Sequence, residues 1–238
     1  MEQIQTLKYS RISLIFVALL VLLFWGFYRT YLMFFPAFEG FQFAQHFHGG
    51  VMLLWISCLI AQPLLIANKK FKAHKAIGKL SYFIAPLLLI SIFMVSKMAY
   101  HRSLDSAVPA QEAIAVIALS IPSLVGFAII YSLAILNRGT MFNHMRYMIG
   151  TALLMIGPGL GRALIIYFEV PFPTAVSATH YFVLAIATSL LILDLISKRY
   201  FLPYLIIWII LLTEHLVWEF RYSEAWQAFG KYFASIFF

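Results

Sequence analysis

The histidines of this 238-residue chain number seven: His46, His48, His74, His101, His144, His180 and His215. A few other polar residues interrupt long apolar stretches: Arg29, Gln62, Arg162, Asp194 and Glu214. At about 1.5 Å of rise per helical residue, Gln62 lies roughly 21 Å beyond His48, and Asp194 roughly 21 Å beyond His180. The set therefore divides into two levels. Gln62, His74, His144 and Asp194 share one. Arg29, His46, His48, Arg162, His180, Glu214 and His215 share the other. Two imidazoles from different helices can clamp a b-type haem iron from opposite sides. His74 with His144 is one such pair, and His48, His180 and His215 can supply a second, so that two haems would carry electrons across a bilayer. Two imidazoles and a carboxylate, here His74, His144 and Asp194, are alternatively the donor set of an iron or zinc site with open positions. The more specific signatures, Cys-x-x-Cys-His, His-Glu-x-x-His and a dense histidine box, do not occur.

Each of these residues also has a structural reading. His46 and His101 fit interfacial polar positions or helix caps, and His74 belongs to a lysine-rich loop. Asp194 stands four residues before Lys198 and can pair with it. Arg29 follows Trp25 by four residues, the spacing of a cation–π contact within a helix. His215 and Glu219 share a helical face, which suits a carboxylate orienting an imidazole. Arg162 either snorkels to the interface or pairs with Glu214. Gly157 and Gly161 form a small-xxx-small packing pair. Pro158 between them suggests instead a broken helix beside a cavity, with Pro86 and Pro122 as further kinks.

The frame that must position these residues follows from composition. The chain is 63% hydrophobic and 11% charged, with a mean hydropathy of +0.90. Soluble domains run at roughly 45–50% apolar and about 25% charged, so a soluble globular fold is excluded. Apolar segments at 12–35, 48–67, 76–98, 113–136, 147–168, 178–196 and 204–220 each approach the roughly 20 residues of a spanning helix. The expected fold is all-α: one integral membrane domain over residues 1–238 with seven transmembrane helices. The first segment is too long for a signal-peptide core and is expected to remain in the mature chain. Cys58 is the single cysteine, so neither a disulfide framework nor a cysteine metal site is available. Most of the aromatic residues are expected in interfacial belts and lipid-facing packing.

The formal charge is +8, and its distribution points to topology rather than to nucleic acid. With the N-terminus inside, Lys8, Arg11, Lys69, Lys70, Lys72, Lys75, Lys79, Arg138, Arg146, Lys198 and Arg199 fall on the inner side. Arg29, Lys97, Arg102, Arg162, Arg221 and Lys231 fall on the outer side. That bias follows the positive-inside rule, with anionic headgroups as the natural partner. Beyond the last span, Trp226, Phe229, Phe233 and Phe237 recur at helical spacing, which predicts an amphipathic helix over 222–238 on the outer surface.

The stretch His48-Gly-Gly-Val-Met-Leu-Leu-Trp55, then Gln62, then His74-Lys-Ala-Ile-Gly-Lys-Leu80 resembles a widespread family of uncharacterised bacterial seven-span inner-membrane proteins. The likeness continues through His144-Met-Arg-Tyr-Met148, Gly161-Arg162, Asp194 and Ala225-Trp226. It implies a bacterial inner-membrane location in which His48, His74, His144, Arg162 and Asp194 are family features, and it implies no activity. A looser likeness, to di-haem membrane cytochromes b and small oxidase-maturation membrane proteins, implies histidines at helix starts in a compact bundle; those cytochromes carry theirs deeper in the spans. Three functions follow. One is a haem electron carrier working with quinone or a respiratory-type membrane complex. The second is a metalloenzyme acting on a lipid-like substrate. The third is a non-catalytic accessory subunit or small-molecule carrier. An absorption spectrum with metal analysis of detergent-purified protein separates them: a Soret band is the expected result of the first, and a colourless preparation from haem-replete cells rejects it.

Overall fold

The computed structural model describes residues 2–106 and 108–238, with side chains from Tyr9 onward. The helices are α1 (Glu2–Tyr28), α2 (Phe43–Ala67), α3 (Phe71–Asp105), α4 (Ala110–Leu136), α5 (Met141–Leu153), α6 (Ile156–Phe168), α7 (Phe172–Ile196), α8 (Leu202–Glu219) and α9 (Glu224–Phe237). There is no strand among the described residues. Seven segments are long and apolar enough to cross a membrane, with α5 and α6 together forming the fifth. The all-α, seven-span expectation therefore holds.

Several boundaries differ from those expected. The first span stops at Tyr28 rather than 35, where the chain enters a 3-10 turn at Leu32–Phe34 and Pro36. The apolar run continues past that point, but proline disfavours helix in the residue before it. α3 extends beyond residue 98 to Asp105, and α3 and α4 pass through Pro86 and Pro122 without interruption. The fifth span is the one that breaks, at Leu154 and Met155. There Pro158 has no N–H to give the Leu154 carbonyl four residues back, and the Met155 N–H bonds the Ala152 carbonyl in a tighter turn. Pro158 itself falls in the first turn of α6, where that loss is tolerated.

Helix neighbours define a closed circuit: α1 packs on α2, α2 on α3, α3 on α4, α4 on α8, α8 on α7, α7 on α6, and α6 on α1. α5 stands apart from this circuit. It packs on α4, α8 and α2, and single side chains reach α1 (Tyr9 to Met141) and α7 (Arg146 to Asp194). The broken span thus places one half-helix toward the middle of the bundle at the lysine-rich end. At the far end it returns the other half to the wall.

Glycines permit both placements. A side chain at Gly150 would strike Ile207, so its absence lets α5 close on α8. A side chain at Gly26 would strike the backbone of Gly159, so the α1–α6 crossing is made backbone to backbone. Gly159 thus makes the close helix contact, whereas Gly157 and Gly161 face Thr179 of α7. The C-terminal helix α9 does not lie free of the bundle. Gly230 packs on Ile114, Ala234 joins Ile117 and Ile121, and Phe238 reaches Phe93 and Tyr100. Its small residues face α4, and the expected stripe from Trp226 to Phe237 is a ladder of touching rings beside them. Gly26→Leu is expected to destabilise the detergent-purified protein by about 1–3 kcal/mol through overpacking. Gly50→Leu, placed in open space, is expected to leave thermal unfolding unchanged or raise its midpoint.

Candidate functional site

At the lysine-rich end the dominant contact is an ion pair. Arg146 donates from Nε to Asp194 Oδ2 at 2.6 Å and from Nη2 to Oδ1 at 2.7 Å. Its Nη1 donates to the Phe142 carbonyl at 3.1 Å, and the guanidinium lies 5.5 Å from the Tyr204 ring centroid. Both partners are almost completely buried, at 4% and 3% exposure. Asp194 is therefore not the partner of Lys198, nor a free third ligand beside His74 and His144, since Arg146 occupies both its oxygens. Sequence reading assigned Arg146 to topology and missed this role. The missing signal was its place one and a half turns into a helix, too deep for an interfacial cation.

Two other members of this level meet. Gln62 Nε2 donates to the His74 carbonyl at 3.2 Å, which turns Oε1 away, buried and without a partner. His74 Nδ1 is likewise buried and unpartnered. His144 Nδ1 is 2.8 Å from the Ala134 carbonyl. A carbonyl only accepts, so Nδ1 carries the proton and Nε2 keeps a bare lone pair.

At the far end, Arg162 is the central feature. On α6, Gly159 faces α1, Gly157 and Gly161 face α7, and Tyr167 stacks on Trp25 at the outer flank. The remaining flank, carrying Pro158 and Arg162, points into the bundle. Arg162 is exposed even though protein surrounds it on nearly every side, so it lines an internal recess. Its guanidinium lies 4.2 Å from the Phe27 ring centroid, and Nη1 donates to the Pro158 carbonyl at 3.3 Å. No carboxylate pairs with it among the described residues, so of the two alternatives the pairing with Glu214 is not made. Ser91 donates its one hydroxyl proton to the Leu88 carbonyl at 2.7 Å, so His48 Nδ1, at 3.0 Å, must donate to Ser91 and leave Nε2 as an acceptor.

The remaining candidates form separate groups. Glu214 is 7% exposed and faces Ser123 of α4; a Cβ on Gly126 would fall 2.8 Å from its Oε1, so that glycine makes the slot for the carboxyl. His180 and His215 meet edge to face at 5.8 Å, each with a buried, unpartnered Nδ1. His215 Nδ1 approaches Glu219 only to 3.8 Å, because Glu219 Oε1 already accepts from Ser177 at 2.6 Å. Arg29 lies beyond the end of α1 and over Tyr167, at 5.2 Å, rather than over Trp25. Partial burial raises the Tyr31 phenol above its usual pKa, and this phenol bonds His46 Nδ1 at 2.6 Å inside a cage with Phe38 and Phe41. His101 Nε2 donates to the Phe238 carbonyl at 3.1 Å. Among the described residues, no three His, Cys, Asp or Glu side chains form a metal-holding group.

Removing one partner of the Arg146–Asp194 pair strands a buried charge. Asp194→Ala is expected to cost about 3–5 kcal/mol, and Arg146→Met with Asp194→Leu together much less, both measured by thermal unfolding in detergent.

No protein-family model, curated protein or solved structure matches this chain at a significant level.

Proposed function

We propose that this multi-pass membrane protein is a small-molecule carrier that binds an anionic ligand in the recess at the far half of its bundle. One observation supports this reading above the others: Arg162 brings an unpaired guanidinium inside the bundle, open to the recess and over an aromatic ring. An ionised side chain within a membrane costs several kcal/mol, and such residues line ligand or ion pathways when no counter-charge is built in. An anionic head supplies that counter-charge. His48, with its acceptor Nε2, suits a ligand that also carries a hydroxyl proton, such as a protonated acid or a phosphate monoester. The apolar Phe27 and Pro158 suit a hydrophobic remainder. We place the N-terminus and the lysine-rich end in the cytoplasm of a bacterial inner membrane, on the charge bias and the family resemblance. The recess then belongs to the outer half.

A haem b electron carrier partnered by quinone or a respiratory complex is the second reading. One observation favours it: the His144 Nδ1–H is held by the Ala134 carbonyl, which leaves Nε2 bare.

The test is thermal unfolding of purified protein with oleate, dodecyl phosphate, succinate and inorganic phosphate. At one hundred times Kd a ligand stabilises by about 2.7 kcal/mol, or roughly 5–10 °C for a chain of this size. At least one anion is expected to produce such a shift in the wild type and none in Arg162→Gln. The variant without ligand is expected to be as stable as the wild type or more so, because an unpaired charge is gone. A panel that leaves both proteins equally unshifted rejects the proposal.

A further inference from the structure

We infer that the outward face of α3, at the lysine-rich end, is a docking site for an anionic phospholipid. Lys75, Lys79 and Arg138 hold its phosphate, and the apolar stripe above them takes its acyl chains. This site is separate from the recess at Arg162 and does not rest on the carrier reading.

The place of α3 in the bundle leaves this face free. Its main neighbours are α2 and α4, and it turns buried Ser81, Ala85 and Leu88 toward them. At 3.6 residues per turn, Lys72, Lys79, Phe83 and Ile90 fall on the opposite side of the helix. Lys75 and Tyr82 flank that line on one side and Leu87 on the other, and all of these side chains are exposed. The stripe changes character along its length: cations up to Lys79, then rings and aliphatic groups. The next lysine or arginine of α3 is Lys97. It stands about 27 Å from Lys79 along the helix, close to the roughly 30 Å of a bilayer's hydrocarbon core. Lys79 therefore lies at the level of the headgroups, with Phe83, Leu87 and Ile90 at the level of the acyl chains.

Arg138 joins this stripe from the neighbouring helix. It follows the end of α4, and its Nη1 donates to the Tyr82 phenol at 2.7 Å. Tyr82 is one turn beyond Lys79, so the bond carries the guanidinium across the α3–α4 seam toward the lysines. A phenol is neutral and uses one of the five guanidinium N–H groups, leaving the charge and the other donors for phosphate oxygens. α4 adds exposed Val125, Ile129 and Leu136 to the apolar wall.

The counter-charge has to come from outside the protein. None of Lys72, Lys75, Lys79 and Arg138 has a carboxylate partner among the described residues. Asp194, the acid at this end whose side chain is described, is held by Arg146. A phospholipid with net negative charge meets both requirements at once, since its phosphate neutralises the cations while its chains cover the stripe. A soluble anion would leave the stripe bare.

The experiment is native mass spectrometry of full-length protein, stripped of lipid in detergent and titrated with phosphatidylglycerol or phosphatidylcholine. The first phosphatidylglycerol is expected to bind at least about tenfold more tightly than the first phosphatidylcholine. Lys75→Gln, Lys79→Gln and Arg138→Gln should each weaken phosphatidylglycerol about fivefold and leave phosphatidylcholine unchanged, a selectivity that a damaged fold cannot imitate. Lys198 and Arg199 are exposed at the same end, between α7 and α8. The Lys198→Gln, Arg199→Gln double variant should leave both lipids unchanged, and inorganic phosphate should not displace bound lipid. The inference is overturned if the two lipids bind equally. It is also overturned if the Lys198, Arg199 double variant weakens phosphatidylglycerol as much as the α3 variants do, or if inorganic phosphate displaces the lipid.

Discussion

The bidentate contact between Arg146 and Asp194 is the interaction on which the lysine-rich half of this bundle depends. In hydrocarbon neither charge is tolerable alone, and their mutual bonding has a strict geometry. To satisfy it, α5 must bring Arg146 within 2.6 Å of α7. That requirement holds α5 toward the middle of the bundle, where Gly150 lets it close on Ile207 of α8. A carboxylate and a guanidinium from residues 48 positions apart thus determine which helix occupies the interior.

The break in the fifth span makes that placement compatible with the other half of the molecule. A straight helix through the centre would fill both halves alike. With the Leu154 carbonyl deprived of an amide partner by Pro158, the span divides, and α6 leaves for the wall between α1 and α7. The crossing of Gly26 on Gly159 then anchors it there. The consequence is an asymmetric bundle: plugged at one end by α5, and open inside at the other, where Arg162 faces the recess. The break therefore separates the half that holds α5 from the half where Arg162 lies.

Burial of polar groups is also divided between these halves. At the lysine-rich end both Asp194 oxygens accept from Arg146, while Gln62 Oε1 and His74 Nδ1 have no partner. In the far half, His48 is held by Ser91, whereas Arg162 has only a carbonyl and a ring. Polar residues with and without partners thus stand within a few turns of one another on the same helices. Satisfaction of hydrogen bonds, rather than residue type or depth, distinguishes them.

By itself the sequence determined that the chain crosses a membrane seven times, since hydropathy over some 20 residues depends on no partner. It also located the two levels of polar residues, because rise along a helix is a fixed length per residue. The contact of Gln62 with His74 was legible for that reason. Which side chains pair across helices was not. Arg146 was indistinguishable from the topogenic lysines, and Glu214 stood beside snorkelling as an alternative partner of Arg162 because both are deep and opposite in charge. Their separation follows from helix rotation and from neighbours: Gly126 of α4 makes the slot for Glu214, and Gly159 turns Arg162 into the recess. Those rotations are set by packing of all the helices at once, and only the tertiary structure decides them.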